Sequence, residues 1–356
     1  MKPERLNWID ALKGIAICGV VMIHSGGSNM PSYLGAIGAV GKNGVQLFFL
    51  ISSFLAFASY KNWGQDSKSW IFHKILKLIP LYYISVAIAV LFGGAGEYWL
   101  VGDRITIKNI VAHILFLHGF FPYYADSIIG VEWYLGVIVI FYALTPVLYK
   151  RICTLEKSII WFIWSTLICQ MIILIATRVT QGFPHGYIYN AYFNTFSFVA
   201  QFPVMLLGIV FYHIRDWKEK VNNRRLLANT LLIVSLCMIW GMIINENNLL
   251  GFSDNTLFGI WFLILVFSQS LSSTFIIDNK AFRLLGKYSY PIYLFHYFII
   301  RLYERYIPDA SENIVVSWGE KYIVVLVTVL VVSIIISKYI EKPLVTKLNA
   351  VFNNML

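Results

Sequence analysis

Long apolar runs separated by short polar breaks recur along the whole chain, at 8–26, 38–60, 74–96, 131–149, 158–177, 196–214, 226–245, 256–277, 288–304 and 320–340. Runs of about 18 or more apolar residues are what a helix needs to cross a bilayer. The pattern therefore predicts an all-α integral membrane protein with about ten transmembrane helices. One further segment, IKNIVAHILFLHGFF at 107–121, is apolar but has only fifteen residues and contains His113 and His118. Its length predicts a re-entrant or interfacial segment rather than a span.

Charge orients the array. With ten spans and both termini cytoplasmic, twenty Lys and Arg side chains fall on the inner side and seven outside, with Lys13 left inside the first span. Making 107–121 an eleventh span reverses everything after it and leaves ten inside against seventeen outside, which the positive-inside rule rejects. The net charge of +10 is thus a topology signal and gives no support to nucleic-acid binding. The expected location is the cell (inner or plasma) membrane, with membrane lipid as the surrounding partner.

Composition agrees: 58% of the residues are hydrophobic and 13% charged, far from the balance of a soluble domain. The first apolar run carries Asp10 and Lys13 and offers no small-residue cleavage site, so it reads as an uncleaved span. Cys18, Cys153, Cys169 and Cys237 form no CxxC pair, and the seven histidines no HxxxH pair, so neither a disulfide framework nor a metal site is expected. With no repeat, low-complexity tract or soluble linker, residues 1–356 read as one domain. The longest stretch between spans, 97–130, is the natural lid or acceptor-facing element.

Candidate chemistry begins in the first run, RLNWIDALKGIAICGVVMIH. Lys13 and His24 are eleven residues apart, which at about 100° per residue returns to within roughly 20° of the same face, and Asp10 lies roughly 40° from His24. Ionisable groups inside a span are costly and mark function. The plainer alternative is that Asp10 and Lys13 neutralise each other near the inner interface while His24 snorkels outward.

In HKILKLIPLYY, Lys74 and Lys77 are three residues apart on one helical face, suited to gripping a polyphosphate or to anchoring topology. In GKYSYPIYLFHYF, Ser289, Tyr293 and His296 share a face and present a hydroxyl, a phenol and an imidazole. These can position a substrate hydroxyl, shuttle a proton or simply pack helices together. Glu132 and Trp133 open the fourth span from outside, and Ser52 and Ser53 sit mid-way along the second, where small residues favour close packing. No GxSxG elbow, HExxH or Walker loop occurs.

Taken together these segments resemble the membrane acyltransferase-3 family. A basic residue followed by histidine in the first span is matched by Lys13 and His24, with Asp10 in its usual place. FFLISSFL resembles the second-span signature with Ser53 at the usual glycine. Lys74 and Lys77 stand for the two arginines of RxxR, keeping charge but losing the bidentate fork. WYLGVIVIFYALTP, GKYSYPIYLFH and the terminal Glu341, Lys342 and Pro343 also match.

The resemblance implies an O-acetyltransferase moving an acyl group from cytosolic acyl-CoA, acetyl-CoA above all, to a hydroxyl of a surface glycan or lipid-linked saccharide precursor. Many relatives carry an extra extracytoplasmic esterase-like domain, which this sequence is expected to lack, and no permanently bound cofactor is expected. Lys74, Lys77 and Lys13 are then the CoA-binding residues. His24 is the general base or transient acyl carrier, with Asp10 balancing Lys13. Glu132, Trp133, Ser289, Tyr293, His296 and His118 become acceptor-side residues. A transporter or flippase is the competing class, since intramembrane Asp, Lys and His also suit a proton-coupled carrier. The chain lacks the internal repeat many carriers show. A non-catalytic glycan-assembly partner is the third.

Overall fold

A computed structural model of the chain describes residues 6–63, 66–92, 105–244, 253–307 and 312–353. Lys2, Arg5 and Arg104 of the charge count, the outer end of the 74–96 run and the 97–104 stretch lie outside the described residues.

Every regular element described is helical. In chain order these are α1 (Asn7–His24), α2 (Ser32–Val40), α3 (Gly44–Lys61), α4 (Ser67–Leu76), α5 (Ile79–Phe92), α6 (Ile107–Ile114), α7 (Trp133–Arg151) and α8 (Leu155–Thr180). They continue with α9 (Gly186–Ala191), α10 (Phe198–Ile214), α11 (Arg224–Ile244), α12 (Asp254–Leu271), α13 (Lys280–Lys287), α14 (Ser289–Tyr306), α15 (Ile314–Ile336) and α16 (Lys342–Asn353). Among the described residues, eight helices or helix runs are long and apolar enough to cross a membrane, and nine if α4 and α5 count as one bent span. The remaining expected span is α14, which is 18 residues long but carries Arg301, Glu304 and Arg305 toward its end. The chain is a multi-pass membrane protein.

The third expected span is broken. α4 ends at Leu76, Lys77 caps it, and α5 leaves at an angle of 42°. Pro80 supplies the cause, because it has no N–H to give to the Leu76 carbonyl and its ring crowds that turn. Lys74 and Lys77 therefore sit on the last turn of one helix and at a kink, rather than together at the start of a continuous span.

Segment 107–121 behaves as its length requires. α6 has eight residues, a rod of about 12 Å against a hydrocarbon core of about 30 Å. Ile107, Val111 and Ile114 point outward while Asn109 and His113 are buried, the reverse of a helix in water. The polar face meets protein and the apolar face is left exposed, the arrangement that suits a lipid surround.

The helices form two compact units, Met1–Ile51 with Phe211–Ile334, and Ser52–Val210 with Ile335–Leu356. In the first unit α1 runs along α13 and α14 at backbone contact. A Cβ on Gly286 would lie 1.7 Å from the Asp10 carbonyl oxygen, and one on Gly14 would lie 2.0 Å from the Phe282 carbonyl oxygen. Small residues of this kind let spans approach where no hydrophobic force drives them together.

Elsewhere in this unit α11 and α12 pair, with Ser268 donating to the Ala228 carbonyl at 2.9 Å. Gln46 of α3 donates to Asn255 of α12 at 3.0 Å. Gly286→Ala is expected to cost about 1–3 kcal/mol by overpacking, lowering the midpoint of thermal unfolding in detergent. Gly241→Ala, where nothing lies within 4 Å, serves as control and should be neutral or stabilising. Equal midpoints for the two variants would contradict the packing described.

In the second unit α4 packs on α7, and the C-terminal helix α16 closes on α4 through Phe352 stacked on Phe72 at 3.9 Å. Gly119 and Gly136 meet backbone to backbone: a Cβ on Gly119 would lie 2.9 Å from Gly136 Cα, and one on Gly136 would lie 2.7 Å from Gly119 Cα. This contact brings the 118–120 turn onto the first turn of α7.

Candidate functional site

His24 is the last residue of α1 and His296 lies within α14, 272 residues away. The structure joins them: His24 Nδ1 and His296 Nε2 are 2.8 Å apart, with the rings stacked at 5.0 Å and Tyr297 against the other side of His24 at 4.7 Å. The two histidines read separately from the sequence are therefore one pair.

Hydrogen bonds fix how protons are arranged in it. His296 Nδ1 faces the Tyr293 carbonyl at 2.7 Å and the Ile292 carbonyl at 3.2 Å. Carbonyls only accept, so this nitrogen carries the hydrogen. In the neutral ring Nε2 then holds the lone pair and accepts from His24 Nδ1–H. His24 Nε2 is left with a lone pair of its own. His296 is fully buried and His24 half-buried, so His24 is the more accessible ring of the pair. Ser289 and Tyr293, predicted to share the His296 face, are both buried.

Asp10 and Lys13 lie half-buried on α1, in the turn that ends at Gly14 and meets Gly286. The two contact points of α1, Asp10 with Gly286 and His24 with His296, show that α13 and α14 together run beside it. α13 is a separate polar helix that ends at Lys287, just before the apolar run at 288–304.

In the second unit Lys74 is half-buried, its ammonium 5.3 Å from the Trp70 ring and 5.8 Å from that of Tyr142, while Lys77 is exposed at the kink. Two aromatic faces hold the first cation in place.

Glu132 and His118, expected on the acceptor side, are spent inside their own loop. Glu132 is fully buried. One of its oxygens accepts from the backbone N–H of Ser127 at 2.8 Å and Ile128 at 2.6 Å. The other accepts from Ile129, Gly130 and Val131 at 3.1, 2.7 and 3.0 Å. His113 Nε2 adds a sixth contact at 3.2 Å while its Nδ1 faces the Asn109 carbonyl at 2.8 Å. With Glu132 ionised, both His113 nitrogens must donate, which makes the ring a cation.

Burial alone would raise the Glu132 carboxyl, but His113 and the ring of N–H donors hold it well below the usual 4.5. His118 stacks on His113 at 4.5 Å, and burial, then the His113 charge, push it down to about 3. Its Nε2–H donates to the Glu132 carbonyl at 3.1 Å. Asp126, buried beside them, is raised well above 3.8 by desolvation and then by Glu132. Gly130 turns the loop at φ 94°. Nothing in the sequence pattern marks Glu132 as such a hub, because its partners are backbone groups. Trp133, the next residue, is buried against Phe196 with ring centroids 5.3 Å apart.

Among the described residues no cluster of three metal-ligating side chains occurs. Comparison with known proteins gives a consistent result. The sequence signature of a family described as "Acyltransferase domain" matches residues 6–338. Proteins of Staphylococcus aureus strains COL, MSSA476 and MRSA252, provisionally named O-acetyltransferases, are each 22% identical over 339 residues, covering 87% of this chain and 53% of theirs. The chain thus spans about half the length of these curated relatives.

Proposed function

Because the chain belongs to the acyltransferase family, we propose that it is a membrane O-acyltransferase, transferring an acetyl group from cytosolic acetyl-CoA to a hydroxyl of a surface glycan or lipid-linked saccharide precursor. The observation that carries the reading is the His24 and His296 pair, whose hydrogen bonds leave His24 Nε2 as a basic nitrogen. That atom takes the proton of the acceptor hydroxyl as its oxygen attacks the thioester carbonyl. The carbon–sulfur bond breaks, and the departing CoA thiolate recovers the proton from His24. His296 steadies the charge by accepting from Nδ1–H throughout, a positioning role like that of the third member of a triad, performed by a neutral ring.

The donor end of the proposal rests on Lys74, Lys77 and Lys13 as phosphate-directed cations. Lys74 is oriented by Trp70 and Tyr142, and Lys77 is exposed to solvent. The Lys74→Ala and Lys77→Ala double variant is expected to weaken acetyl-CoA binding by about tenfold or more at low salt, with the gap narrowing as salt screens the parent. Unchanged affinity would reduce both lysines to topology anchors.

The reading as a whole is tested with purified protein in detergent, labelled acetyl-CoA and a panel of surface glycans. Label appearing in glycan, with release of CoA, is expected. No turnover, combined with gradient-driven saccharide uptake after reconstitution in liposomes, would establish the carrier instead.

A further inference from the structure

At the end of α8 the structure holds an open hollow of about 540 Å³, lined by Thr177, Arg178, Gln181, Gly186, Tyr187 and Asn190. Its volume falls in the range of small-molecule sites, roughly 300–1,000 Å³. Such sites are mainly apolar, whereas this lining offers a guanidinium, two carboxamides, a hydroxyl and a phenol, with one exposed aromatic ring. That set does not suit an acyl chain. It suits a ring bearing many hydroxyls, whose polar edge needs paired donors and acceptors and whose C–H face needs an aromatic partner.

Depth supports this. α8 has 26 residues, about 39 Å of helix, and so exceeds the hydrocarbon core of about 30 Å by about two turns. Thr177 and Arg178 lie in those last turns, at headgroup level, and the charge count places that end away from the cytosol.

The hollow is also built on a braced corner. His185 takes φ 55°, a backbone conformation that costs energy for a residue with a side chain and persists where surroundings enforce it. Tyr123 donates to the Pro184 carbonyl at 3.3 Å, and Tyr192 donates to the Gly119 carbonyl at 2.8 Å. Both bonds tie the corner to the loop organised by Glu132.

We infer that this hollow is a saccharide-binding site at the outer membrane surface, which receives the glycan acceptor. Arg178 is the cation in its lining and gives it a preference for an acidic sugar. The assignment deepens the acyltransferase reading and rests on it for the identity of the ligand as acceptor. Saccharide binding itself is measurable without any acyl donor.

The test uses the full chain in detergent and saturation-transfer NMR with two probes, trigalacturonic acid and neutral maltotriose. Signal is expected for both, stronger for the acidic probe. Binding of trigalacturonic acid should fall by about tenfold or more in Arg178→Ala combined with Tyr187→Ala, while thermal stability stays at the parental value because both side chains are exposed. No signal from either sugar overturns the site, as does signal undiminished in the double variant. Displacement of the sugar by phosphatidylglycerol micelles and not by excess unlabelled trisaccharide would make the hollow a lipid-headgroup site instead. Since every readout is binding, failure here leaves the labelled-acetyl assay untouched, and failure of that assay leaves this result standing.

Discussion

Replacing His24 by alanine is expected to lower acyl transfer by about 10² to 10⁴-fold, the usual cost of losing a positioned general base, with folding close to parental. His296 gives its Nδ1–H to backbone carbonyls, accepts from His24, and thereby turns the His24 lone pair outward. Removing His24 removes the base, whereas removing His296 removes only what orients it.

His296→Ala should therefore retain more activity than His24→Ala and shift the pH profile. His296→Gln, whose amide oxygen can still accept from His24 Nδ1–H, should recover part of the loss. Steady-state transfer measured across pH for the three variants checks this. If His24→Ala keeps more than about a tenth of parental turnover, well short of the general-base range, the pair is structural.

Glu132→Gln is expected to have the largest effect on folding. The amide cannot accept from five backbone N–H groups, and it leaves the His113 cation buried without its counter-charge. Breaking a buried pair from one side costs about 3–5 kcal/mol, a large part of the stability of an ordinary protein. Size-exclusion profiles and detergent melting should show loss of folded protein. A variant that folds normally and only raises KM for the acceptor would return Glu132 to a substrate-contact role.

The pH dependence has a definite sign. A carboxyl held below its usual 4.5 contributes stability that is complete above that value and is lost as pH falls through the lower, folded value. Acid should open this loop.

The spans and the short 107–121 segment were legible because apolar length and basic asymmetry report directly on the bilayer. The break after Leu76 was also written in the sequence, as Pro80, yet a continuous apolar run concealed it. The pairing of His24 with His296 was not legible. Apolar length says that spans exist but not which of them adjoin, and the two rings are 272 residues apart. The Glu132 cage was hidden for another reason. Five of its six contacts are to peptide N–H groups, and every residue but proline has one.

The contact of Gly14 with Phe282 and Gly286 also sets a schedule for biogenesis. The surface of α13 that meets α1 at Asp10 and Gly14 is encoded about 270 positions after it. At roughly 5–20 residues per second, α1 waits on the order of 15 to 50 seconds before its neighbour is synthesised. During that interval a charged helix stands in the membrane without the partner that tolerates it. The insertion machinery or a membrane chaperone must shelter it, and chains truncated before α13 should be cleared by proteolysis however well their other helices insert.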